Sequence, residues 1–96
     1  MPAYVIASVS AARDQEKLAE YRARNTEAVA KHGGRFIVRG GSLETLEGDW
    51  SPVRLVIMEF PDVSAARGWY HSDDYAPLRE LRQSASDTDI VLVEGV

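Results

Sequence analysis

The stretch Val53-Arg54-Leu55-Val56-Ile57-Met58-Glu59-Phe60 decides the fold. Its branched and aromatic side chains favour a β-strand. Read with a period of two, the strand has no polar side: Arg54 shares a face with Val56, Met58 and Phe60, and Glu59 shares the other with Leu55 and Ile57. Ala3 to Val9 reads the same way, with Tyr4, Ile6 and Ser8 on one face and Ala3, Val5, Ala7 and Val9 on the other. An antiparallel sheet with one face in water alternates apolar and polar residues along its strands, and these two do not. Both faces of their sheet need a cover.

The flanking segments supply only one. Between Arg13 and His32, Leu18, Tyr21, Asn25, Ala28, Val29 and His32 recur at spacings of three and four, which predicts one long amphipathic helix. Gly33 stands where a left-handed cap is needed, so the helix stops at His32. Arg35 to Arg39 is a shorter edge strand ended by Gly40-Gly41, and Ser42 to Pro52 is a long hairpin connection. Pro61-Asp62 opens a second helical region, with Asp62 as cap, and the chain restarts after Ser72 so that Pro77 sits in the first turn of a helix starting near Tyr75. Thr88 to Glu94 is the last strand. The order is βαββαβ with the second helix broken in two. It predicts a single α+β domain over residues 1–96: a ferredoxin-like four-stranded antiparallel sheet with its helices on one face. The other face is a contiguous apolar patch larger than soluble monomers usually carry, so a homodimer through that sheet face is expected. The competing expectation is that the hairpin or the C-terminal segment curls over the face within one chain.

Composition narrows the partners. With 96 residues there is room for one compact domain. Lys+Arg 11 against Asp+Glu 15 leaves a net charge of −4, which argues against nucleic acid. Apolar runs of about five residues fall far short of the ~18 of a membrane span. Cys 0 excludes disulfides, thiolate metal sites and a cysteine nucleophile. Met1-Pro2-Ala3-Tyr4 lacks the pattern of a secretory signal, so a cytoplasmic address is expected. His71-Ser72-Asp73-Asp74 offers metal-ligand types without the spacing of a zinc site, and no metal or cofactor is expected.

Candidate chemistry concentrates on one helical stripe. Tyr21, Asn25, Ala28 and His32 project from one line of the first helix toward the sheet, and buried polar groups need partners. In one reading His32 is a general acid or base, with Tyr21 and Asn25 orienting an oxygen-bearing substrate. In the other, His32 closes the helix C-terminus. Arg39, Arg54 and Glu59 lie on or beside apolar strands and must be neutralised. Antiparallel pairing is expected to bring Arg39 and Glu59 onto one face, either as an arginine fork for a carboxylate or enolate ligand or as a structural ion pair. Trp69, Tyr70 and Tyr75, where the broken helix meets the sheet edge, are either a pocket wall or core.

Several strings in order, Tyr21-Arg22, Lys31-His32-Gly33-Gly34-Arg35-Phe36, Val38-Arg39-Gly40-Gly41, Leu46-Glu47-Gly48-Asp49-Trp50, Glu59-Phe60-Pro61, Trp69-Tyr70 with Ser72 and Tyr75, and Val93-Glu94-Gly95, together resemble domain-of-unknown-function family 1330 across nearly the whole chain. The resemblance implies a dimeric α/β barrel of two ferredoxin-like subunits, and it carries Trp69, Tyr70 and Tyr75 over as pocket candidates without an assigned role. Fold relatives include cofactor-free monooxygenases and isomerases, so the fold alone selects no reaction. The expectation is a homodimer that binds a small anionic or enolic organic compound, acting as a cofactor-free enzyme of monooxygenase or isomerase type. The alternative is a non-catalytic dimeric binding or interaction module.

Overall fold

A computed structural model describes all of residues 1–96. The elements are β1 (Ala3–Ala12), α1 (Gln15–Lys31), β2 (Arg35–Arg39), β3 (Arg54–Phe60), α2 (Val63–Tyr70), α3 (Ala76–Ala85) and β4 (Ser86–Glu94). The four strands form one antiparallel sheet in the order β2-β3-β1-β4, the ferredoxin-like arrangement.

Local chemistry sets the helix ends. The Asp14 carboxylate accepts from the Lys17 amide at 3.0 Å to open α1. At the other end Gly33 adopts φ +80°, and the Gly33 and Gly34 amides donate back to Ala30 and Val29. Only a residue without a Cβ takes that left-handed turn cheaply. Asp62 caps α2 through the Ala65 amide at 2.8 Å. The break between α2 and α3 is held by Ser72, whose hydroxyl donates to the Trp69 carbonyl at 2.8 Å and accepts from the Tyr75 amide at 3.1 Å.

The helices lie on the face of Val5, Met58 and Phe60, which pack with Val29, Trp69, Tyr75 and Leu78 into the core. Two expectations need correction. First, β1 runs on to Ala12 and β4 begins at Ser86, because Ala11 and Ala12 pair with Asp87 and Ser86 beyond a bulge after Val9. Small and polar residues carry no strand signal, and the ladder itself extends the element. Second, β2 contains a bulge between Phe36 and Val38. The extra residue inverts the alternation beyond it, so Arg39 pairs with Val56 on the helix side, not with Glu59. Glu59 stays with Leu55 and Ile57 on the opposite side of the sheet, as its parity implies, and Arg35 is its cross-strand partner.

That opposite face carries Tyr4 and Ile6 from β1, Leu55 and Ile57 from β3, and Val91 and Val93 from β4. The hairpin connection touches only its corner: Trp50 Nε1 donates to Ser8 Oγ at 2.9 Å while the ring stays 61% exposed. The chain does not cover this face itself, and Val91 is 55% exposed.

Candidate functional site

A cavity of about 580 Å³ opens between α1, one end of the sheet and the last turns of α3. Its polar lining includes Tyr21, Arg22 and Asn25 from α1, Arg39 and Arg54 from the strands and Arg82 from α3, with Gln15, Ser86 and Thr88 at one end, and its apolar walls include Leu18, Phe36, Val56 and Met58. No carboxylate and no imidazole line it. The four ion pairs of the molecule, Arg13–Asp87, Arg24–Glu20, Lys31–Asp74 and Arg35–Glu59, lie elsewhere. The four cavity arginines therefore have no acidic side chain to neutralise them. In a chain of net charge −4 this is a concentrated cationic hollow.

Arg39 and Arg54 are seated against their neighbours. Arg39 Nη2 donates to the Arg22 carbonyl oxygen at 2.7 Å, and its guanidinium lies 3.8 Å from the centroid of the Phe36 ring. Arg54 crosses the backbone at Gly40, where φ is +71° and a Cβ would collide with the guanidinium. Burial, then the nearby Arg54 and Arg22 charges, holds Arg39 below the ordinary arginine range. Burial, then Arg22, does the same for Arg54. Arg82 is only 6% exposed, yet its titration moves up. Burial opposes that direction, and the Tyr75, Tyr21 and Tyr70 phenols outweigh it.

A chain of polar contacts runs behind the cavity. Trp69 Nε1 donates to Asn25 Oδ1 at 3.1 Å, and Asn25 Nδ2 donates to Tyr21 Oη at 3.5 Å. The Tyr21 and Tyr75 hydroxyls are 2.7 Å apart, and Arg82 Nε donates to Tyr75 Oη at 3.4 Å. Tyr75 is fully buried, and in the Tyr21–Tyr75 pair either hydroxyl can be the donor. Burial, followed by the Tyr75 hydroxyl, pushes the Tyr21 phenol up, so it stays a neutral donor.

Of the residues singled out from the sequence, Tyr21, Asn25, Arg39 and Arg54 meet in this cavity. Trp69 and Tyr75 sit behind it as core, joined to it by hydrogen bonds. Tyr70 walls a separate groove between α2 and β4. Glu59 is across the sheet, bonded to Arg35 Nε at 2.8 Å. His32 also stands apart: it is the C-cap of α1, against Gly68. Seven residues beyond Asn25 is about 10 Å further along the helix axis, past the end of the cavity. Arg22 and Arg82 are the lining cations the sequence reading passed over. Arg82 had a signal, since it follows Leu78 by four and Tyr75 by seven and so occupies a core position of α3. Arg22 sits on the flank of α1 among other charged residues, and its one signal is the Tyr21-Arg22 string of the family resemblance.

The fold and the cavity together define a ferredoxin-like α+β protein with a cationic hollow between helices and sheet. The chain matches the family described as Domain of unknown function (DUF1330) over residues 2–96 and belongs to it. No curated protein matches it. Among solved structures, a protein of unknown function from Rhodopseudomonas palustris superposes with a TM-score of 0.78 at 20% identity, covering 99% of this chain and 82% of that one. A dimeric ferredoxin-like protein of unknown function from Jannaschia sp. CCS1 gives 0.73 at 11% identity, covering 99% and 100%. SnoaB, a cofactor-independent oxygenase from Streptomyces nogalater, gives 0.62 at 14% identity, covering 99% and 92%. At these identities the likeness is one of fold.

Proposed function

We propose that the protein is a homodimer that binds a small anionic or enolic organic compound in the arginine-lined cavity. The observation that carries this reading is the set of four guanidinium groups around one hollow with no acidic residue among them. Charges so placed cost stability unless something neutralises them, and an entering carboxylate or enolate does so with charge-assisted hydrogen bonds. The open apolar face of the sheet supports the homodimer, as does the description of the Jannaschia relative as dimeric.

The lining stabilises negative oxygen and offers neither carboxylate nor imidazole to remove a proton. Binding is therefore the primary reading. Enzymatic use by stabilising an enolate is a second one, favoured by the neutral Tyr21 phenol in the cavity lining and by the fold shared with SnoaB. A thermal-shift panel of organic carboxylates, enolisable diketones and their neutral amide or ether analogues tests the binding. A ligand present at about 100 times its Kd stabilises the folded state by about 2.7 kcal/mol. The anionic and enolic members are expected to raise Tm, and Arg39→Gln is expected to shrink that rise. Equal shifts with neutral analogues, or no shift from any anion, would defeat the reading.

A further inference from the structure

The four arginines form two groups, not one. Arg22, Arg39 and Arg54 gather at the end of the cavity where Arg39, Gly40 and Val53 are exposed. Arg39 is anchored there on the Arg22 carbonyl, and Arg54 is laid across Gly40. Arg39 and Arg54 feel other members of this cluster as repelling charges, whereas Arg82 is influenced by the phenols of Tyr75, Tyr21 and Tyr70. Arg82 is buried, its Nε donates to the Tyr75 hydroxyl at 3.4 Å, and the Tyr21 phenol is close enough to act on its charge. No carboxylate pairs with it, although a guanidinium carries five N–H donors in a fork that matches a carboxylate. The Tyr21 phenol, paired with the Tyr75 hydroxyl and lining the same cavity, belongs to this second group. Leu18, Phe36, Val56 and Met58 supply apolar wall in the same cavity.

We infer that the ligand is an organic dianion on a compact apolar body, with one acidic group received by Arg22, Arg39 and Arg54 and the other by Arg82 and Tyr21. The inference rests on the anion-binding reading above and deepens it. A single acidic group neutralises one of the two centres and leaves the other uncompensated. Two groups on one body satisfy both, and apolar walls exclude water from the middle. A cavity of about 580 Å³ is in the range that holds a one-ring compound with two such substituents.

Isothermal titration of the full-length protein with benzamide, benzoate, isophthalate and adipate tests this. At least one dianion, rigid or flexible, is expected to bind about tenfold or more tightly than benzoate, with benzamide weakest. Arg54→Gln and Arg82→Gln are each expected to pull the favoured dianion down to the benzoate level, and added salt to narrow the gap. Melting curves establish that each variant is folded, and Arg54→Gln alone decides the matter should Arg82→Gln not fold. Dianions that bind no better than benzoate, with benzoate still above benzamide, overturn the dianion and leave the anion reading standing. Benzoate and both dianions indistinguishable from benzamide overturn the anion reading itself.

Discussion

Trp69 joins the packing of the core to the polar chain behind the cavity. Its ring is fully buried, 4.2 Å from the Tyr75 centroid and 5.6 Å from that of Phe60, while Nε1 donates to Asn25 Oδ1. Trp69→Phe keeps an aromatic in place and removes that donor, leaving a buried amide oxygen unsatisfied. The expected loss is about 1–3 kcal/mol, read as a lower urea midpoint, because an orphaned buried acceptor bears its full desolvation cost. An unchanged midpoint would mean that Asn25 finds another donor. Residues of this kind are the legible part of the site: Tyr21 and Asn25 announced themselves as polar groups at core spacing. Arg39 and Glu59 misled, since nothing around Ile37 marks a bulge. One inserted residue moves a side chain to the other face of the sheet without changing any local preference.

At the level of elements, caps and breaks were readable because each has a local chemical cause. Asp62, Gly33 and Pro77 act on their own few residues. Strand ends and cross-strand partners depend on the neighbouring strand, which the local pattern does not contain. The β2–β3 pairing shows what such a partner contributes. The Arg35 guanidinium beside Glu59 holds its carboxyl below the usual carboxylate range; burial opposes this, and a hydrogen bond from Tyr4 reinforces it. A carboxyl whose folded pKa lies below its unfolded value of about 4.3 adds stability above that pH and loses it as pH falls through the folded value. Wild type is therefore expected to melt above Glu59→Gln near neutrality, and the two curves to converge as the pH drops below about 4. Melting curves recorded across that range check it. A gap that persists in acid would place the effect of Glu59 in its packing and not in its charge.

The whole molecule is a slab, with extents of 33 × 31 × 17 Å. Its short dimension has room for one layer of helices on one sheet, and a β-sheet packs against a second at about 10 Å. The βαββαβ order and the bare face were both legible, because strands apolar on two sides demand two covers and the helices supply one. Ile57 stands inside that face, in register with Ile6 on β1 and Val38 on β2. In the proposed dimer, Ile57→Lys places an unpaired ammonium in an apolar contact. Two-fold symmetry does so twice, at about 3–5 kcal/mol for each copy. Sedimentation equilibrium is expected to find the wild type at twice 10.6 kDa and the variant at the single mass. A wild type that runs as a single chain at micromolar concentration would end the homodimer proposal. The cavity lies on the helix side of the sheet, so the single-chain variant is expected to keep its affinity for benzoate. Loss of binding along with association would mean instead that the second copy holds the strands carrying Arg39 and Arg54 in place, making assembly a condition of the site.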